Sequence, residues 1–141
     1  YAEKKIKPDS MIDLATLTGA VVVALGHELT GAMGNDDELI NELIESGKRT
    51  SEGVWPLPIL DLHKDEMKGN VGDLRNISGP STGAGSSKGG AFLSYFVSET
   101  SWVHLDIAGS AWGAAQRDYQ GGEKGTGVGV RLLMDYLRST K

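Results

Sequence analysis

The segment Met11-Ile-Asp-Leu-Ala-Thr-Leu-Thr-Gly-Ala-Val-Val-Val-Ala-Leu25 decides which fold the chain can adopt. Residues 11–15 form an apolar run that predicts a β-strand, and residues 20–25 form a second run that predicts the first turns of a helix. Open α/β sheets place ligand sites where a strand enters a helix, at the carboxyl end of the strand. The turn over residues 16–19 is therefore a candidate ligand site. The same residues are equally consistent with a plain helix cap, in which Thr16 and Thr18 only cap the helix and Gly19 only relieves crowding.

Size and composition are those of one ordinary globular domain. The chain has 141 residues, of which 39 % are hydrophobic and 23 % are charged. Its net charge of −5 comes without a basic cluster, which argues against nucleic acid as a partner because phosphates must be neutralised by Lys and Arg. No apolar run approaches the roughly 20 residues that cross a bilayer, so no membrane association is predicted. The absence of cysteine excludes thiol chemistry and is compatible with a cytoplasmic location.

Apolar runs and amphipathic segments continue to alternate along the chain. Further strands are predicted at residues 29–33 and 102–107, and residues 1–7 resemble the end of a helix. Helices are predicted from a cap at Asn35 or Asp36 to Gly47, and over residues 59–68, 91–97 and 128–137. Residues 55–58 are predicted as an extended connector, and residues 79–90 and 119–126 as glycine-rich loops. Strands separated by helices predict a three-layer α/β fold with a mixed or mostly parallel sheet.

Local catalytic motifs are missing from the sequence. The three histidines, His27, His63 and His104, are scattered, and no HExxH motif or i, i+4 pair occurs, which excludes a zinc-protease helix. His104 lies in a predicted strand and is predicted to be a core histidine. No G-x-S-x-G nucleophile motif is present. Residues 83–88 come close to a dinucleotide-binding fingerprint, but a lysine stands where the third glycine belongs.

Carboxylates remain as candidate chemical groups. Asp13, Asp73 and Asp106 are predicted near strand ends, where any one of them could assist catalysis or bind a metal. Hydrolysis by two metal ions needs several carboxylates that converge, and the spacing offers no compact set. The three acidic residues at 36–38 are better explained by the positive end of a helix dipole than by a metal site.

Six motifs together resemble the catalytic domain of the leucyl aminopeptidase (cytosol aminopeptidase) family. They are ATLTGA at 15–20, ALGHELTGAMGN at 24–35, WPLP at 55–58, DLRNIS at 73–78, GAFLSYFV at 90–97 and WVHLDIAGSAW at 102–112. They follow in the family's order and spacing and cover nearly the whole chain. The resemblance implies that residues 1–141 are the carboxyl-terminal portion of a three-layer catalytic domain.

The resemblance also implies that this catalytic domain is incomplete. The family binds two divalent metal ions, Mn or Zn, through an upstream segment and an N-T-D-A-E-G-R motif, and that motif does not occur between Tyr1 and Lys141. We therefore expect no metal ligand and no catalytic residue in this chain, and no activity of the chain alone. The full-length parent would remove leucine-like amino-terminal residues from peptides, as a cytoplasmic homo-hexamer. The alternative is a non-catalytic binding or assembly module of the same fold.

Five residues match positions that line the family's substrate site. By this resemblance, Thr16 and Gly19 border the pocket for the first side chain of the substrate, and Ala108 closes that pocket. Backbone groups of Leu17 and Gly19 hold the peptide. Ile77 contacts the leaving residue, which is the residue after the cleaved bond.

Overall fold

Helices cover both faces of a four-stranded sheet, which confirms the predicted three-layer α/β fold. The computed structural model describes residues 1–79, 83–113 and 123–140. The strands are β1 (Ser10–Ala15), β2 (Thr30–Gly34), β3 (Val54–Pro56) and β4 (Ser101–Asp106). The helices are α1 (Gly19–Leu25), α2 (Asp37–Thr50), α3 (Asp61–Asp65), α4 (Gly85–Ser94) and α5 (Val130–Ser139). A π-helical turn over Ala2–Ile6 precedes β1, where the sequence predicts the end of a helix.

The strand order β1-β4-β2-β3 gives a mixed sheet in which most pairs are parallel. β1 is parallel to β4, β2 is parallel to β3, and the central pair β4 and β2 is antiparallel. The register pairs Ala15 with Asp106, so the carboxyl ends of β1 and β4 lie side by side. This edge of the sheet carries the turn into α1.

The main apolar core lies between the sheet and helices α2 and α5. Alternate residues of β1 and β4 face these helices, together with the apolar stripe of α2; the cluster includes Ile12, Leu14, Val103, Leu105, Leu39, Ile40, Leu43, Leu132 and Tyr136. Burial of each such side chain contributes about 1.5–3 kcal/mol. Asp36 caps α2 as predicted, since its Oδ1 accepts hydrogen bonds from the N–H groups of Glu38 and Leu39.

α2 does not end at Gly47 as the sequence predicts but continues to Thr50. Gly47 is buried inside the helix, and a Cβ there would lie 2.5 Å from the carbonyl oxygen of Glu52. The glycine therefore serves a close backbone contact, and Ser51, with φ at 57°, ends the helix in its place.

α1 and α4 cover the opposite face of the sheet. α4 begins at Gly85, so residues 85–90 are helical although the sequence predicts a loop there. Glycine allows α4 to approach β2 closely, because a Cβ at Gly90 would lie only 3.0 Å from the Met33 sulfur. Tertiary packing thus overrides the low helix propensity of glycine. Residues 80–82 of this predicted loop and residues 119–122 of the second one lie outside the described residues.

Two other segments differ from the prediction. Residues 55 and 56 of the predicted connector, together with Val54, pair with β2 as the edge strand β3, where a proline is tolerated. α3 covers only Asp61–Asp65, because the backbone from Met67 to Gly69 pairs instead with residues 73–75 across a tight turn. In the part of the chain that the structure describes, no helix has the length and apolarity needed to cross a membrane.

Candidate substrate pocket

The turn between β1 and α1 is held by a buried carboxylate at the end of the neighbouring strand. Asp106 ends β4 and its residue surface is 0 % exposed. Its Oδ1 accepts hydrogen bonds from the backbone N–H groups of Leu17 (3.1 Å), Thr18 (3.4 Å) and Ala108 (3.2 Å). Its Oδ2 accepts a hydrogen bond of 2.6 Å from the Thr18 hydroxyl. Hydrogen bonds to an ionised acceptor are about twice as strong as neutral ones, so Asp106 fixes the turn to the end of β4.

Thr18 joins the turn to two helices. Its Oγ1 accepts a hydrogen bond of 3.2 Å from the N–H of Val21, which caps α1. The same oxygen lies 3.2 Å from the hydroxyl of Ser86 in α4. The plain helix-cap interpretation is therefore correct for Thr18, and the cap belongs to a larger network that positions the turn.

A cavity of about 480 Å³ opens beside this turn. Its apolar wall comes from four separate segments of the chain, which contribute Leu17, Met67, Ile77, and Phe92 with Leu93. Helix α4 can approach the turn because of Gly89, where a Cβ would lie 2.9 Å from the Thr18 methyl carbon and 3.0 Å from a Leu17 methyl carbon. Two of the five predicted site residues, Leu17 and Ile77, thus meet at one cavity although 60 residues separate them in the sequence.

The other three predicted site residues do not line this cavity and lie near the carboxyl ends of β1 and β4. Thr16 and Gly19 are exposed at the two ends of the turn, and Ala108 is half-buried two residues beyond Asp106, where the β1–β4 ladder ends. A hydrogen bond of 2.9 Å from the Ile107 N–H to the Ala15 carbonyl extends that ladder and brings the two strand ends together. Asp106 accepts hydrogen bonds from the N–H of Leu17 in the turn and from the N–H of Ala108, so the turn and Ala108 are held as one unit.

A buried lysine that forms an ion pair, Lys88, is part of the cavity wall. The Lys88 side chain is 4 % exposed, and its Nζ lies 2.6 Å from Oε2 of Glu66. Burial of a charged group is unfavourable unless the group is paired, and Glu66 provides the opposite charge. The sequence singles out Lys88 only as a mismatch in a dinucleotide-binding pattern. No local signal marks it as a buried residue, because its partner lies on another segment.

The strand-end carboxylates do not assemble into a metal site. Asp13 accepts a hydrogen bond of 2.7 Å from the Trp102 indole and lies 2.6 Å from Nδ1 of His104, which is fully buried as predicted. Asp106 holds the turn, and Asp73 is exposed in the turn after α3. Within residues 1–79, 83–113 and 123–140, no three acidic or histidine side chains converge to hold a metal ion. These residues therefore do not fit a two-metal centre, which needs such convergence.

Sequence reasoning missed what Asp106 does, although it noted the carboxylate. An aspartate at the end of one strand, beside the strand that feeds a helix, could have suggested a partner for the turn's backbone N–H groups. That inference needs the pairing of β1 with β4, which residue spacing alone does not give.

The fold and the turn define an α/β domain with a candidate ligand crevice at the carboxyl ends of two adjacent strands. Residues 1–134 match the family model described as the cytosol aminopeptidase family, catalytic domain. The chain belongs to the cytosol aminopeptidase family.

Curated relatives share about half of their aligned residues with this chain. It is 52 % identical over 136 residues to the "Probable cytosol aminopeptidase" of Geobacter sp. (strain M21), which covers 96 % of this chain and 27 % of the relative. The identity is 47 % over 142 residues with the protein of that name from Geotalea uraniireducens (strain Rf4), and this alignment covers 100 % of this chain and 28 % of the relative. The identity is 46 % over 140 residues with that of Neisseria meningitidis serogroup A / serotype 4A (strain DSM 15465 / Z2491), and this alignment covers 99 % of this chain and 28 % of the relative. The chain thus spans little more than a quarter of the length of these relatives.

Proposed function

We propose that this chain forms the peptide-binding side of an aminopeptidase catalytic domain, as its carboxyl-terminal portion. The full-length parent hydrolyses amino-terminal residues, with a preference for leucine-like side chains, from peptides. The observation that carries this proposal is the cavity of about 480 Å³ in which Leu17 of the turn meets Ile77 and helix α4. Family membership and the names of the relatives support the same conclusion.

Each of the five site residues has a role in this proposal. Thr16, Gly19 and Ala108 border the pocket for the first side chain of the substrate, and because none of them is charged, uncharged side chains are favoured. Backbone groups of Leu17 and Gly19 hold the peptide main chain. The side chains of Leu17 and Ile77 contact the leaving residue. The volume of the cavity falls within the range of about 300–1,000 Å³ that is usual for small-ligand sites.

We assign the two divalent metal ions, Mn²⁺ or Zn²⁺, to residues of the parent protein outside this chain. Such ions, when bound, activate water and polarise the scissile carbonyl. The residues of this chain bind and orient the peptide and, through the packing of α4 on the turn, shape the space for its side chains. A cytoplasmic homo-hexamer is the assembly that we propose for the parent.

A segment exchange tests the proposed function. In this chimera, the matching segment of the Geobacter relative is replaced by the present chain, with the unmodified relative as the activity control. We expect the chimera to hydrolyse leucyl-glycine in the presence of Mn²⁺, and we expect no turnover above buffer by the 141-residue chain alone. Metal-dependent turnover by the purified chain alone would contradict the assignment of the metal ligands to other segments.

A second variant separates pocket from fold. In the chimera, Ala108→Trp should reduce hydrolysis of leucyl-glycine at least tenfold and spare glycyl-glycine, because a bulky side chain fills the pocket for large residues; steric discrimination of this kind amounts to roughly 1–3 kcal/mol. A folded, correctly assembled chimera without any peptidase activity would favour the alternative, a non-catalytic binding or assembly module.

A further inference from the structure

We propose that Asp106 is a positioning residue, which directs the backbone carbonyls of Thr16 and Leu17 towards the main chain of the bound peptide. This inference rests on the proposed function, because it takes the turn over residues 16–19 as the peptide-binding element. It concerns a residue outside the set matched by family resemblance, and it follows from the four hydrogen bonds that Asp106 accepts.

The direction of the carbonyls follows from peptide geometry. A trans peptide unit is planar, and its N–H and C=O groups point to opposite sides; the described peptide bonds are all trans. The N–H of Leu17 points at Asp106, so the Thr16 carbonyl of the same peptide plane is directed away from Asp106. The N–H of Thr18 also points at Asp106, and the Leu17 carbonyl is therefore directed away as well.

Both carbonyls are available to a ligand. Asp106 lies on the buried side of the turn, whereas Thr16 and Leu17 are exposed, so the two oxygens face the outer side. Among the described residues, no hydrogen bond reaches the carbonyl oxygen of either residue. Two successive acceptors suit a ligand with N–H donors, such as the α-ammonium group or the amides of a peptide.

The same carboxylate also sets the distance between the turn and Ala108. Oδ1 of Asp106 accepts hydrogen bonds from the N–H groups of Leu17 and Ala108. It therefore links the turn, whose carbonyls are the proposed acceptors for the peptide main chain, to Ala108, which borders the proposed side-chain pocket. Because carbonyl acceptors contact the main chain, which all peptides share, the effect of Asp106 is expected to be the same for every substrate. Ala108, in contrast, discriminates between side chains.

Steady-state kinetics of the chimera test this role with Asp106→Asn, which removes the negative charge and leaves one oxygen acceptor. We expect KM to rise about tenfold for leucyl-glycine and for alanyl-glycine alike, with kcat changed less than about twofold, because lost binding that is shared by the ground state and the transition state appears in KM. Asp13→Asn is the matched control. The Asp13 carboxylate accepts a hydrogen bond from the Trp102 indole and lies against His104, and its hydrogen bonds do not reach the turn. We expect Asp13→Asn to lower the melting temperature with KM unchanged.

Thr18→Val provides a second route if Asp106→Asn does not fold. It removes the hydroxyl that donates to Oδ2 and leaves the charge in place, so we expect a rise in KM of about threefold, again equal for both dipeptides. A merely structural role of Asp106 would lower kcat through loss of active enzyme and leave KM at the value of the unaltered chimera; that result would overturn the inference. An inactive unaltered chimera would instead refute the proposed function itself.

Discussion

Two neighbouring glycines in α4 allow the contact between this helix and the turn to be tested. Gly89 and Gly90 are consecutive helical residues, and an added Cβ meets resistance at both. At Gly89 it would lie 2.9 Å from the Thr18 methyl carbon and 3.0 Å from a Leu17 methyl carbon. At Gly90 it would lie 3.0 Å from the sulfur and 3.1 Å from Cβ of Met33, inside the sheet. Gly89→Ala therefore perturbs the site, and Gly90→Ala is its matched control.

The expected change in stability is small for both variants. Replacement of glycine by alanine within a helix stabilises by about 0.5–1 kcal/mol, and overpacking opposes this gain by about 1–3 kcal/mol. The net loss is therefore about 0–2.5 kcal/mol in each case. At Gly89 the neighbours differ in freedom: Thr18 is held by Asp106, whereas Leu17 is 38 % exposed and can move. We expect Leu17 to shift by a few tenths of an ångström into the cavity in which we propose that the leaving residue binds.

The assay compares the chimera with each variant on leucyl-glycine and leucyl-phenylalanine. We expect Gly89→Ala to lower kcat/KM about tenfold for leucyl-phenylalanine and about twofold for leucyl-glycine, because a bulky leaving residue needs the space that Leu17 takes; a discrimination of 1–3 kcal/mol is usual for such a steric change. Gly90→Ala should leave both values within about twofold. Equal losses in the two variants would show that α4 only supports the fold, and would refute a role of the cavity in binding the leaving residue.

Two further predictions concern carboxylates outside the pocket. The pKa of Glu3 is lowered to about 2, because the backbone N–H groups of Glu99, Thr100 and Ser98 donate to its carboxylate. A lowered pKa means that Glu3 stabilises the fold above its ordinary value of 4.5 and that this contribution is lost as the pH falls towards about 2. The melting temperature of Glu3→Gln should therefore be below that of the unaltered chain at neutral pH and equal to it near the lowered pKa. A difference in melting temperature that stays constant across this pH range would contradict the lowered pKa of Glu3. Glu52 is buried and accepts hydrogen bonds from the N–H groups of Gly129 and Leu132 at the start of α5. In urea unfolding, Glu52→Ala should therefore lower the free energy of unfolding by about 2–4 kcal/mol, and Glu52→Gln by about half as much. If both variants were as stable as the unaltered chain, water would replace this cap.

Local patterns predict the parts of this fold in which neighbours along the chain determine the structure. The apolar run before the turn, the cap at Asp36 and the stripe of α2 all depend on residues within one or two turns of each other, and each is found as predicted. The start of α4 is not, because its glycines are chosen for contact with β2 and with the turn, which lie far away in sequence. The end of α2 fails for the same reason at Gly47.

The candidate site depends still more on distant contacts. Asp106 is 88 and 89 residues away from the two turn residues whose N–H groups donate hydrogen bonds to it, and no periodicity links such positions. Lys88 similarly acquires its partner only when α3 and α4 are brought together. Leu17 and Ile77 could be named from the sequence only because the family's motifs place both at the substrate site; their meeting at one cavity is a property of the fold.

A photo-cross-linking experiment tests the central claim most directly, namely that the cavity beside the turn receives the residue after the cleaved bond. The metal-free chimera, which cannot turn over substrate in the proposed mechanism, is incubated with a leucyl dipeptide whose second residue carries a diazirine, irradiated and analysed by mass spectrometry. We predict labels on Leu17, Ile77 and Phe92, which line the cavity, and loss of these labels when excess leucyl-glycine competes. Labels confined to other surfaces, or labels at the cavity that excess leucyl-glycine does not reduce, would contradict the account.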